Sequence, residues 1–203
     1  TNLLGNLPNE PGRIHLFNET VGTIRDFHYG TELPAWPESA NGEGYCLVLI
    51  KPEDNPDHSD PANWRRSVAI KGSPGESDTI PFIGITSNDS DGDGLSALLE
   101  YALGTSDSIV TPSPWKLQQI EIVGDNGVDR FLQAEIQHQI GADDVIWIPE
   151  VSADLVTWSG DAITPGVRHI PSSDPGLVIE QYRTMELFPD DQLHFIRIRV
   201  KER

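Results

Sequence analysis

The sequence predicts an all-β protein of two small antiparallel β-sandwich units, the first incomplete, joined by an acidic loop and one short helix. Three observations carry this. Apolar residues recur mainly in strand-length runs bounded by Gly, Pro and Asn, with 18 Gly and 16 Pro in 203 residues. One stretch alone shows the helical period. The charge is uneven: residues 81–112 hold five acids and no base, within a chain of formal charge −18. The expected segments are 1–80, a partial sandwich; 81–112, the loop and helix; and 113–203, a second sandwich.

In the first segment Arg13–Phe17 reads as a short strand, and Thr23–Tyr29 alternates apolar and polar residues as a half-buried strand does. Tyr45–Ile50 is a near-continuous apolar run, which predicts a central strand and a buried Cys46. Leu33–Pro37 and Lys51–Ala62 are Pro-rich loops, and Gly72-Ser73-Pro74-Gly75 is a closing turn. Three or four strands fall short of the roughly seven of a full sandwich. In the second segment Leu95, Leu98, Leu99, Ala102 and Leu103 form one apolar stripe at helical spacing, and Gly104 follows as a cap. In the third, Leu117–Val123 and Arg130–Gln139 flank Gly124-Asp125-Asn126-Gly127, a hairpin signal. Val145–Val151, Leu177–Met185 and His194–Val200 are further strands.

The composition excludes several functions. An excess of 32 acids over 14 bases opposes nucleic-acid binding and docking on anionic lipid. No apolar run reaches the roughly 20 residues of a membrane-spanning helix. A single Cys rules out an intramolecular disulfide framework. The six His form no H-E-x-x-H, and no G-x-S-x-G, P-loop or G-x-G-x-x-G is present, so the chain is read as non-enzymatic. It starts at Thr1 without a Met, a signal peptide or a tag, so a processed piece of a longer protein is expected.

One motif carries chemistry. Asp89, Asp91 and Asp93 stand at positions 1, 3 and 5 of a twelve-residue loop, Gly94 at position 6 and Glu100 at position 12. This is the spacing of a calcium loop, in which Leu95 at position 7 offers its carbonyl and Glu100 both carboxylate oxygens. Ala97 at position 9 has no side-chain oxygen and leaves that place to water. Oxygen donors without His or Cys favour Ca²⁺ over zinc or copper. Pro81–Thr86 reads as extended chain and no second loop exists to pair with. Ser96 stands at position 8, where a paired hand places an apolar residue. The loop is therefore expected to be a structural clip working at millimolar calcium, outside the cell, rather than a regulatory EF-hand. Glu53–Asp60 is a second acidic cluster, read either as another calcium site or as a solvated loop whose side chains cap turns.

Three stretches carry a resemblance. Trp36-Pro37, Gly42–Leu49, Pro61–Ser67 and Gly72–Gly75 resemble the C-terminal half of a bacterial lamin-tail domain, which implies an immunoglobulin-like, non-catalytic sandwich lacking its first strands. Residues 89–107 look like the Asp-rich "DGDGL…EYALGT" linker of secreted Verrucomicrobia and Planctomycetes proteins. Residues 113–203 are similar to the β-domain that often follows it, through Pro149–Trp158 and Phe195–Val200. The resemblance implies a calcium-stiffened structural or interaction module, the C-terminal part of a larger secreted or surface protein. Its expected partners are the upstream part of its own chain or neighbouring copies that share strands into a fibre. The alternative is a carbohydrate-binding or accessory module of a secreted enzyme; most of the five Trp stand next to Pro or inside apolar strands and are expected in core or interdomain packing, with Trp36 the best candidate for exposure.

Overall fold

A computed structural model describes residues 11–30, 36–37, 40, 43–124, 127–161, 163–164, 169–171, 174, 176–185 and 194–203. The protein is all-β apart from single-turn 3-10 helices and one α-helix among these residues. It divides into two compact units, Thr1–Asp78 and Thr79–Arg203. The acidic loop and the helix thus belong to the second unit.

In the first unit β1 (Gly12–Asn18) and β2 (Gly22–Tyr29) form an antiparallel hairpin. Its turn closes because the Asn18 side chain accepts the backbone N–H groups of Thr20 and Val21 at 2.9 and 3.1 Å. The hairpin buries one large side chain, Phe27, which stacks on Trp64 at 5.7 Å between ring centroids. His58 and Trp36 complete this aromatic cluster, with Trp36 5.8 Å from Trp64. Trp36 is therefore half-buried in packing, not an exposed platform.

The short pair β3 (Leu47–Leu49) and β4 (Trp64–Arg66) is also antiparallel. Here the structure corrects the sequence reading. Tyr45–Ile50 holds only three strand residues, and Cys46 is exposed. The cause is the short partner. Beyond Arg66 the chain leaves the ladder, and Cys46 is met by Ser67, whose hydroxyl accepts the Cys46 N–H at 3.0 Å and whose own N–H reaches the Cys46 carbonyl at 2.7 Å. Asp78 pins the closing turn by receiving Arg65 at 2.9 Å and the Val68 N–H at 3.0 Å, in a nearly buried ion pair.

Among its described residues the second unit has two sheets. In the larger, β5 (Trp115–Gly124), β6 (Gly127–Gln139), β10 (Leu177–Thr184) and β8 (Ile163–Thr164) lie in that order, and β9 (His169–Pro171) also pairs with β10. The β5–β6 hairpin runs in register down to Gly124 opposite Gly127. Asp125 and Asn126 of the expected turn lie outside the described residues. The smaller sheet pairs β7 (Val145–Ser152) with β11 (Phe195–Glu202). Alternation along these strands sends Ala134, Ile136 and Tyr182 of one sheet, and Trp147, Val151, Ile196 and Ile198 of the other, into one core. On the other face of β7, Glu150 accepts from Arg199 at 2.7 Å and Arg197 at 2.8 Å, and these guanidiniums hold its carboxyl down to about 2.

The helix α1 (Ala97–Leu103) closes this core with Leu103, while Leu98 and Ala102 pack on Ala142 and Val145. Ser96 caps its start by accepting the Leu99 N–H, and Gly104 ends it at φ 73°. Gln137 and Gln139 of β6 donate to the last helical carbonyls, of Leu103 and Tyr101, at 2.9 and 3.1 Å. Gly104 is required twice over. Its left-handed backbone disfavours any Cβ, and a Cβ there would collide with Leu177 Cδ2. Gly104→Ala is expected to cost at least roughly 1–2 kcal/mol from the backbone alone, read as a lowered urea midpoint with an unchanged slope.

Candidate metal centre

The acidic loop is shaped by its own side chains. Asp89 accepts the N–H groups of Gly92 and Gly94 at 2.9 and 3.1 Å, Asp91 that of Asp93 at 3.1 Å, and Asp93 that of Leu95 at 2.8 Å. The chain can curl this tightly because Gly92 and Gly94 take φ of 77° and 92°. Its two ends are tied where Ala97 N–H donates to the Asn88 carbonyl at 2.6 Å and Leu98 N–H to that of Thr86 at 3.3 Å. As expected, Pro81–Thr86 enters without a helix. The result gathers one carboxylate oxygen from each of Asp89, Asp91 and Asp93 within 4.8 Å of one another.

Glu100 approaches from α1. It is 1% exposed, buried by the same helix face that carries Leu103 into the core. Its Oε1 accepts the hydroxyls of Thr105 at 3.1 Å and Thr111 at 3.3 Å. Its Oε2 is buried with no hydrogen-bond partner among the described residues, as is Asp91 Oδ2. Burial pushes the Glu100 carboxyl above the usual range, and the charges of Asp91 and Asp93 push it further the same way. A buried carboxylate with an unpaired oxygen beside two more carboxylates is costly unless a cation is present. Residues 81–112 supply no Lys or Arg for that purpose. Leu95 contributes its side chain to the core and its N–H to Asp93, so the residue at position 7 is held on both sides of its backbone.

Residues that the loop signature omits also hold this site. Thr111 donates its N–H to Asp93 Oδ2 at 2.8 Å in addition to its contact with Glu100. Ser90 donates its N–H and hydroxyl to Asp107 at 2.9 and 2.5 Å, which lowers the Asp107 carboxyl. The only trace of this in the sequence is a set of hydroxyls beyond the helix, at no diagnostic spacing.

The other sequence candidates resolve differently. In the 53–60 loop Asp57 accepts the Ser59 N–H at 2.8 Å and Asp60 the Ala62 N–H at 2.9 Å, the turn-capping use of these side chains. Among the described residues only Asp89, Asp91 and Asp93 form a group of three or more side chains able to hold a metal. Trp147 stacks on His138, and Trp158 lies beneath the Arg197 guanidinium at 4.0 Å. No helix among the described residues is long and apolar enough to cross a membrane. Compared with protein-family models, curated proteins and solved structures, the chain matches none.

Proposed function

We propose that this chain is a non-catalytic, extracellular structural or interaction module whose second unit is stiffened by one calcium ion. Asp89, Asp91, Asp93, the Leu95 carbonyl and Glu100 are the ligands. The observation that carries this reading is the aspartate cluster together with two buried carboxylate oxygens that have no hydrogen-bond partner among the described residues, Asp91 Oδ2 within it and Glu100 Oε2, which feels the Asp91 and Asp93 charges but stands outside the group gathered within 4.8 Å. Hard oxygens alone suit Ca²⁺. One ion would bring residues 81–112 from five negative charges to a net −3.

The ion's role is mechanical. Glu100 sits at the middle of the helix, one turn before Leu103, which is in the core. A cation shared by Glu100 and the aspartates would fasten the loop to the helix, and the helix to both sheets. A loop that needs the ion in order to be stable fits surroundings where calcium is abundant. The lamin-tail and linker resemblances support a place in a larger secreted or surface protein. The proposed partners are protein: upstream chain or neighbouring copies.

The test is thermal unfolding of the whole chain in Ca²⁺ and in EDTA. At a hundredfold excess over Kd, binding to the folded form adds about 2.7 kcal/mol. That corresponds to a rise of roughly 10 °C in melting temperature for a unit of this size. An unchanged midpoint up to 10 mM Ca²⁺ sinks the reading.

A further inference from the structure

We propose that Thr111 is a positioning residue of the calcium site, and that the segment from Thr105 to Thr111 is part of that site although the loop signature ends at Glu100. The inference rests on the calcium reading and adds what sets its strength. Among the described residues Thr111 touches ligands from both halves of the loop. Its N–H donates to Asp93 Oδ2 at 2.8 Å, and its hydroxyl is shared between Glu100 Oε1 and the Ile109 carbonyl, each at 3.3 Å. It lies 18 residues beyond Asp93 and 11 beyond Glu100, so only the folded return of the chain brings it there.

Two further contacts fasten the same segment. Thr105 gives its hydroxyl to Glu100 Oε1 at 3.1 Å, and Asp107 receives both Ser90 donors. The segment therefore lies over the loop as a strap held at Thr105, Asp107 and Thr111. These hydrogen bonds have a direct consequence for metal binding. The two hydroxyls at Oε1 take up that oxygen's lone pairs, so Oε2 is the oxygen left to face a cation. Donors on Oε1 hold the Glu100 carboxylate in one rotamer, with Oε2 left unpaired. The Thr111 N–H on Oδ2, together with the Leu95 N–H on Oδ1, likewise fixes the orientation of the Asp93 carboxylate. Groups that orient a ligand in this way typically change metal affinity by about 10–100-fold when removed. The strap is also the lead into β5, which begins at Trp115. Occupancy of the site is thereby tied to the start of the larger sheet.

The experiment is calcium titration calorimetry on the whole chain, comparing the wild type with Thr111→Val, Thr111→Ser and Thr105→Val. Thr111→Val keeps the N–H and the shape but removes the hydroxyl. It is expected to weaken Ca²⁺ binding by about tenfold or more. Thr111→Ser restores binding to near wild type, and Thr105→Val falls between. The melting temperature in EDTA is measured alongside. Thr111→Val lowers it modestly and weakens the affinity as well, whereas a merely structural role would lower it and spare the affinity. Calcium affinity unchanged in both Val variants, with the wild type binding, overturns the strap and leaves the calcium reading standing. No binding by the wild type overturns both.

Discussion

Glu100→Gln is expected to have opposite effects in the two buffers, which makes it the most informative single change. In calcium it removes the carboxylate at position 12, and the rise in melting temperature should vanish. In EDTA it should stabilise the protein, by about 1–3 kcal/mol. The wild-type carboxylate is 1% exposed, with one oxygen unpaired and two aspartates nearby. Gln keeps the shape and an acceptor for the Thr105 and Thr111 hydroxyls but carries no charge. The pH dependence has a definite sign. Because the Glu100 carboxyl is raised in the folded protein, its protonated form is favoured there. The stability associated with it is present below the ordinary carboxyl range and is lost as pH rises through the raised value. In EDTA the wild type should therefore lose stability over that interval, and the Gln variant should lose less. Equal melting temperatures for the two proteins in EDTA across pH 4–7, with the calcium response retained, would contradict the assignment of Glu100.

Leu103→Ala should give the largest loss of stability among the core positions, about 2–5 kcal/mol. Leu103 is 0% exposed and lies in the cluster shared by α1, both sheets and Ile163. Its removal leaves a cavity walled by Ala134, Ile136 and Tyr182, which are held by their strands and cannot collapse inward freely. Chemical denaturation in EDTA isolates this packing effect from any ion. The calcium-induced shift should survive in this variant, because its ligands are unchanged. A loss below about 1 kcal/mol would mean that the helix is peripheral to the core, contrary to its contacts.

The legibility of the sequence followed the range of the interactions. The five longer strands of the second unit were readable because alternation along a strand reports a sheet with one buried face, as in Phe195–Glu202, whereas β8 and β9, two and three residues long, are too short to show a period. The Leu95–Leu103 stripe with Gly104 behind it was readable for the same reason, since both the period and the cap are local. Tyr45–Ile50 was misread because a continuous apolar run says nothing about how many neighbours a strand has. Only the three-residue partner Trp64–Arg66 limits it to a short pair and leaves Cys46 exposed. Trp36 follows the packing expected of the tryptophans generally, although it was the best candidate for exposure. Its flanking proline suggested exposure, whereas Trp64, 28 positions later, supplies the ring it packs against.

The candidate site divides along the same line. The sequence by itself determined the spacing of Asp89, Asp91, Asp93 and Glu100, the glycines that let the loop curl, and the concentration of unopposed acid in residues 81–112. These are properties of neighbouring residues along one chain. The tertiary structure alone decided that Glu100 is buried with one oxygen unpaired, that Thr105 and Thr111 hold its other oxygen, and that Asp107 clasps Ser90. Burial and hydrogen-bond partners depend on which segments return to the loop after the helix, and no local pattern encodes that return. The spacing alone makes the acids a candidate calcium loop, and the fold adds that Glu100 is buried with one oxygen unpaired.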